Sequence, residues 1–149
     1  MFRSLRIKNL ALVDDVTWEL ESGFNILTGE TGAGKSILIG ALQLLVGERA
    51  DKTLIRSGED ACVVEAEFEI NNEELHREIA RSLDDAGVEA CEDRLLLLKR
   101  MISASGSNRQ FVNGSAVPLQ FLKKIGEWIV DIHGPHDHQS LLSNATQLD

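Results

Sequence analysis

The sequence is 149 residues long, with 43% hydrophobic and 26% charged residues and a net charge of −9, a composition typical of a soluble globular chain with one core. It contains no apolar run as long as a membrane span and no signal-peptide core at its N-terminus, so we expect neither a membrane protein nor a secreted one. Its two cysteines, Cys62 and Cys91, are too few for a disulfide framework or a zinc site, so we expect reduced thiols and a cytoplasmic location.

The first elements along the chain are strands. Apolar patterns predict strands over 2–7 and 11–20, joined by a turn at Lys8-Asn9, and a short buried strand over 24–28. Apolar residues at helical spacing then predict a helix over 37–45, with Gly47 as its C-terminal stop.

A glycine-rich loop lies between that third strand and the helix, and it matches the P-loop pattern G-x-x-x-x-G-K-[ST] at every position. Its glycines let backbone N–H groups point at phosphate oxygens, Lys35 reaches the outer phosphates, and the Ser36 hydroxyl is placed to bind Mg²⁺. The helix dipole behind the loop favours negative charge. The sequence therefore predicts a nucleotide-binding site made of Gly29, Glu30, Thr31, Gly32, Ala33, Gly34, Lys35 and Ser36.

The second half of the chain alternates strands with helices. A strand with one solvated face is predicted over 61–70, a polar helix capped by Asn71 or Asn72 follows, and a buried strand covers 95–102. After a polar turn over 103–108 the chain returns over 110–112, and Asn113-Gly114 signals a tight turn. Further elements are a short helix opened by Pro118 and a last strand over 128–132, with Trp18 and Trp128 both expected in the core.

Charge is divided unevenly along the chain. Residues 59–93 hold thirteen acidic residues, whereas residues 94–124 hold six basic residues and no acid. The division is consistent with a basic binding face opposite an acidic one, and equally with ordinary surface charge that happens to cluster.

Five segments of the chain together resemble the head segment of the RecN family of bacterial DNA repair proteins, in the SMC-like branch of the ABC ATPases. They are residues 5–13 (LRIKNLALV), 29–36 (GETGAGKS), 45–50 (LVGERA), 55–58 (IRSG) and 131–142 (DIHGPHDHQSLL). The resemblance implies an α/β P-loop NTPase fold of the ABC/SMC type. Residues 1–149 would then form the N-terminal lobe of the head, with a mixed β-sheet and flanking helices.

The function implied by this resemblance is ATP binding and hydrolysis with Mg²⁺, in DNA double-strand break repair and recombination. The implied partners are DNA and the second head of a homodimer, and the implied location is the bacterial cytoplasm, in association with the nucleoid. SMC-like heads join two lobes that a long coiled coil separates in sequence, and this chain has no heptad stretch, signature motif or Walker B strand. We therefore expect the C-terminal lobe to be a missing partner and the chain alone to be inactive as an ATPase.

Two residues outside the P-loop gain roles from the resemblance. Gln139 matches the Q-loop glutamine, which reaches the nucleotide's Mg²⁺ and helps to place the attacking water. Pro135 stands where the family often carries a second glutamine, which leaves Gln139 as the only candidate. Arg56 matches the arginine loop, in which a guanidinium approaches the nucleotide phosphates.

Other interpretations remain open at this point. His133, His136 and His138 with Asp137 lie within six residues and could be metal ligands or plain loop residues. Arg56 could be a surface arginine before a turn. The whole chain could also be a small P-loop kinase, or a non-catalytic interaction module that only binds nucleotide.

Overall fold

A computed structural model describes residues 2–11, 13–19, 32–50 and 52–129. Its central element is a six-stranded sheet in which every pair of neighbours is antiparallel, in the order β2-β1-β3-β4-β5-β6. The strands are β1 (Phe2–Leu10), β2 (Val13–Glu19), β3 (Ala61–Glu69), β4 (Leu95–Ser103), β5 (Asn108–Val112) and β6 (Ser115–Val117).

Strict alternation gives this sheet one apolar face. Along β3 every second side chain from Cys62 to Phe68 is buried, while Glu65 and Glu67 point to the opposite face. The pairing register lines up Leu5, Ala66, Leu98 and Val112 across four strands, and all four are buried. Because successive side chains of a strand alternate between faces, this row fixes which face carries the core.

Three helices contribute to the core on that face: α1 (Gly32–Leu45), α2 (Glu73–Asp85) and α3, described over 119–129. A short 3₁₀ helix, Lys52–Leu54, precedes β3. The helices and the sheet form one buried cluster, to which the helices contribute Ala41, Leu44, Leu45, Ile79, Leu83, Leu122, Ile125 and Ile129. None of the helices in the described ranges has the length and apolarity needed to span a bilayer.

Local signals place the start of two of the helices as predicted. Asn72 caps α2, since its side-chain Oδ1 accepts a hydrogen bond of 2.9 Å from the backbone N–H of Leu75. Pro118 precedes α3, and its carbonyl accepts the first bonds of that helix, from Phe121 and Leu122. Pro118 also ends β6, which is only three residues long.

The turn predicted between the first two strands is in the wrong place. Lys8 and Asn9 belong to β1 and do not form the turn: Leu10 pairs with Val13, so the chain reverses between these two residues. Asn9 does adopt a left-handed conformation, with φ of 57°, but pairing of the neighbouring residues with other strands carries the strand past it.

The predicted last strand is also wrong where it can be compared. Residues 128–129 continue α3, because Leu122, Ile125 and Ile129 recur at helical spacing and are all buried. Trp128 packs against the core as predicted, with Lys124 Nζ 5.3 Å from its ring centroid. The predicted strand over 24–28, residues 130–132 and the side chain of Trp18 lie outside the described residues.

The tight turn predicted at Asn113-Gly114 joins β5 to β6, with φ of 49° and 86° at its two residues. The Asn113 side chain also holds two other segments. Its Oδ1 accepts a bond of 3.0 Å from the Leu97 N–H of β4, and its Nδ2 donates to the Glu89 carbonyl at 2.8 Å. Asparagine therefore serves here both as a left-handed turn residue and as a bridge between segments.

We predict that Asn113→Ala lowers the free energy of unfolding by about 2–3 kcal/mol, because alanine loses the side-chain bonds to Leu97, Glu89 and Cys91 and strains the left-handed backbone. Asn113→Gly is the matched control, since it loses the bonds but relieves the strain and should cost about 1 kcal/mol less. Urea unfolding followed by circular dichroism measures both. Equal losses in the two variants would contradict the conformational part of this explanation.

Candidate nucleotide-binding site

The described part of α1 begins at Gly32, inside the P-loop, so Gly32, Ala33 and Gly34 form its first turn. The first N–H groups of a helix have no partner within it, and they carry the positive end of the helix dipole. No acidic residue lies in this first turn to compete with an anion. The start of α1 therefore has the charge and the free N–H groups that phosphate binding requires.

The remaining P-loop residues lie beyond what can be compared. Gly29, Glu30 and Thr31 lie outside the described residues, and so do the side chains of Lys35 and Ser36. Their predicted roles stay predictions.

The C-terminal end of α1 is closed by a Schellman motif. The Gly47 N–H donates to the Leu44 carbonyl at 3.1 Å and the Glu48 N–H to the Gln43 carbonyl at 3.0 Å, with Gly47 left-handed at φ of 96°. Gly47 thus ends the helix as predicted.

A buried arginine also binds this end of α1. Arg100 of β4 is only 2% exposed, and its Nη1 donates to the Leu44 carbonyl at 3.0 Å and to the Glu48 carbonyl. Burial lowers the pKa of its guanidinium, while the nearby Cys62 thiol acts in the opposite direction. An arginine remains protonated through such shifts, so β4 places a permanent cation at the negative end of the P-loop helix.

Two glycines bring α3 against the same end of α1. A side chain on Gly126 would lie 2.7 Å from Val46 Cα, and one on Gly47 would lie 2.8 Å from Lys123 Cα. Both distances are shorter than any real Cβ contact, so only glycine allows the two backbones to approach this closely. α3 is thereby fixed to the end of the helix that begins in the P-loop.

Arg56 lies in a turn attached to the β1–β2 hairpin. Its N–H donates to the Asn9 carbonyl at 2.8 Å, and its Nη1 lies 3.3 Å from Asp14 Oδ1. Asp14 is 77% exposed, and an ion pair so open to water holds an arginine only weakly. Among the described residues the polar contacts of Arg56 are with this hairpin and with the N–H of Glu59, and not with α1, so its predicted approach to phosphate stays a prediction.

Gln139 and the histidines at 133, 136 and 138 lie outside the described residues, so neither the Q-loop nor the metal site is tested by position. Within the described ranges, no group of three or more possible metal ligands comes together.

The six basic residues of 94–124 do not share one surface. Arg100 is buried beneath α1, Arg94 pairs with Glu73, and two lysines lie on α3. Lys99 and Arg109 lie over the Phe111 ring on the open face of the sheet, where the β3 glutamates also lie. The described structure therefore favours dispersed charge over a single basic face.

The role of Arg100 was missed at the sequence level, where it was counted only as one of these basic residues. A signal was present, since Arg100 has the same parity in β4 as Leu96, Leu98 and Ile102, which are all buried. A charge at a core position needs a partner, and the partner here is a helix end that lies 52–56 residues away along the chain.

The chain belongs to the AAA domain family, whose model matches residues 4–145. It is 42% identical to the DNA repair protein RecN of Vibrio cholerae and 38% identical to that of Bacillus subtilis, in each case over 99% of this chain. These matches confirm the resemblance to RecN. The chain spans only about a quarter of these relatives, 26% and 25% of their lengths.

Solved structures confirm the fold class. A chain from work on ATP-driven dimerization and DNA-stimulated activation of SMC ATPases matches with a TM-score of 0.64 at 19% identity, over 95% of this chain and 90% of that one. The SMC head domain from Thermotoga maritima matches with a TM-score of 0.56 at 19% identity, over 83% and 41%. The fold is that of the N-terminal lobe of an SMC-type head.

Proposed function

We propose that this chain is the ATP-binding lobe of an SMC-like ATPase head that acts in DNA double-strand break repair and recombination. One structural observation carries the proposal: a helix starts within the P-loop glycines, has no acid in its first turn, and is held firmly at its opposite end. The match to RecN, a DNA repair protein, supports the biological role. The role implies DNA as the partner and a cytoplasmic, nucleoid-associated location.

In the proposed site, different residues would bind the nucleotide phosphates and Mg²⁺. The backbone N–H groups from Gly29 to Gly34 would hold the phosphates, Lys35 would offset the charge of the outer ones, and Ser36 with Gln139 would hold Mg²⁺. The metal neutralises phosphate charge and orients the phosphate to be transferred. Arg56 would leave its exposed pairing with Asp14 to bring a second positive charge to the phosphates.

The remaining groups for hydrolysis would come from other parts of the protein. We propose that residues 1–149 form the N-terminal lobe, and that a coiled coil and a C-terminal lobe with the signature and Walker B segments complete the head. A second head of a homodimer would then enclose the nucleotide. The fraction of each relative that the chain covers is consistent with this division.

The phosphate role of Lys35 predicts that Lys35→Ala weakens nucleotide binding at least about tenfold, because a charge-assisted contact contributes about 1.5–3 kcal/mol. Calorimetric titration with Mg-ATP measures the change. Lys99→Ala is the control, since Lys99 lies on the face of the sheet opposite the core, and it should bind like the unchanged chain. Unchanged affinity in Lys35→Ala would falsify the phosphate-cradle assignment.

An incomplete site predicts that the 149-residue chain has negligible steady-state ATPase activity, even with Mg²⁺ and DNA present. Adding a polypeptide that carries the signature and Walker B segments should restore turnover, because those segments supply the general base. Robust turnover by the chain alone, lost in Lys35→Ala, would contradict the division into lobes.

The Q-loop assignment predicts that Gln139→Ala leaves nucleotide-free stability unchanged and impairs hydrolysis in the complete protein. His136→Ala and His138→Ala should have milder effects, because neither imidazole is needed as a ligand. A zinc site makes the opposite forecast, since metal-binding free energy is then folding free energy. Elemental analysis, together with melting curves of the three variants, distinguishes the Q-loop from a zinc site. Stoichiometric zinc with a destabilised histidine variant would overturn the Q-loop assignment.

A further inference from the structure

We propose that Arg100 is a positioning residue for the nucleotide site: from inside the core it fixes the C-terminal end of α1 and so sets where the P-loop at the other end lies. The proposal rests on the proposed nucleotide-binding function and deepens it. Arg100 would touch neither nucleotide nor Mg²⁺, and it would act through the helix.

The first argument is the cost of burying this charge. Arg100 is 2% exposed, and no carboxylate among the described residues pairs with it. A buried guanidinium is costly unless its N–H groups are bound, and here Nη1 binds the carbonyls of Leu44 and Glu48. The buried Nε has no hydrogen-bond partner among the described residues, so the bonds of Nη1 are what offset the burial of this charge. Any shift of α1 along or about its axis would break these bonds and leave a buried cation unsatisfied. Because of this penalty, even a small displacement of this helix end would raise the free energy of the folded chain sharply.

The second argument is the choice of bonded groups. Leu44 lies in the last turn of α1, and Glu48 is the residue that closes the Schellman motif. The Leu44 carbonyl belongs to the negative end of the helix, where a cation is stabilised, and the Glu48 carbonyl lies just beyond it, on the residue that closes the motif. Arg100 therefore recognises the end of the helix itself, and it would lose its partners if the last turn unwound.

The third argument concerns how fixing the C-terminal end of α1 affects the P-loop at its N-terminal end. α1 is 14 residues long, or about 21 Å at 1.5 Å per residue, and it lies against β3 and β4. Because a packed helix moves as a rigid body, a displacement of its C-terminal end also displaces its N-terminal end. Phosphate-binding N–H groups tolerate little error, since a misplacement of about 1 Å at a reacting centre reduces rates by about a hundredfold.

The same junction also includes α3. Gly126 meets Val46 and Gly47 meets Lys123 directly beside the carbonyls that Arg100 binds. The end of α1 is thus held by β4 through a charge and by α3 through two close backbone contacts.

The test uses the complete protein with Arg100→Met, Arg100→Lys and Leu83→Ala. Methionine fills similar space without charge or donors, and lysine keeps the charge but not the fork. Leu83 is a buried residue of α2, so Leu83→Ala is a matched control for lost stability. Each variant is measured at a temperature where circular dichroism shows it fully folded without nucleotide.

We expect Arg100→Met to weaken Mg-ATP binding at least about tenfold and to lose nucleotide-dependent protection of the amides of residues 32–40 in hydrogen exchange. Arg100→Lys should restore part of both, and Leu83→Ala should bind like the unchanged protein although it unfolds more easily. A role in stability alone would give equal affinities in Arg100→Met and Leu83→Ala, and that result would overturn the proposal.

Two further variants keep the outcomes distinct. If Arg100→Met does not fold, Gly126→Ala disturbs the same junction from α3, and full affinity in a folded Gly126→Ala together with full affinity in Arg100→Lys would overturn the proposal. Lys35→Ala reports on the function itself. If the unchanged protein and Lys35→Ala bind Mg-ATP equally, the proposed function fails; if only Lys35→Ala loses affinity, the positioning role of Arg100 fails alone.

Discussion

The structure depends on the need to cover one face of an antiparallel sheet. Alternation in β3 and its neighbours makes that face apolar across four strands, and three helices supply the cover. α1 is one of these helices, so the element that carries the P-loop glycines is placed by the same burial that stabilises the fold. A phosphate-binding loop needs a firm support, and here the support is the core itself.

Electrostatic interactions also help to place α1, although the net charge of −9 gives no sign of them. The charges on the open face of the sheet are mixed, with Arg6 close to both Asp15 and Glu65, and such exposed pairs add little to stability. The pKa of Asp15 is lowered, chiefly by its hydrogen bond from Arg6. Arg100 contrasts with them, since it is the one buried charged residue in the part of the chain that the structure describes, and its partners are backbone carbonyls. Arg100 therefore acts on the geometry of the C-terminal end of α1.

Features set by neighbours in sequence could be predicted, and features set by distant contacts could not. The Asn72 cap and the Asn113-Gly114 turn depend on local chemistry and were found. The turn predicted at Lys8-Asn9 was wrong because pairing extends β1. The strand predicted over 128–132 was wrong at residues 128–129, the part that the structure describes, because helical burial continues through Ile129. A run of four leucines predicts a buried strand, yet Leu97 is 44% exposed because β4 alternates. In the site, the P-loop was visible from residue spacing alone, whereas the partners of Arg100 are contributed by a helix encoded far earlier in the chain.

The brevity of β6 has a consequence for the lobe as a separate molecule. A sheet edge offers unpaired N–H and carbonyl groups to any extended chain that arrives, which is how ordered aggregates begin to grow. At this edge only three residues, Ser115–Val117, are available before Pro118, which has no N–H to offer, and the chain then turns directly into a helix. Among the described residues, this edge of the sheet therefore offers an incoming strand too few hydrogen-bonding groups to support growth into a fibre.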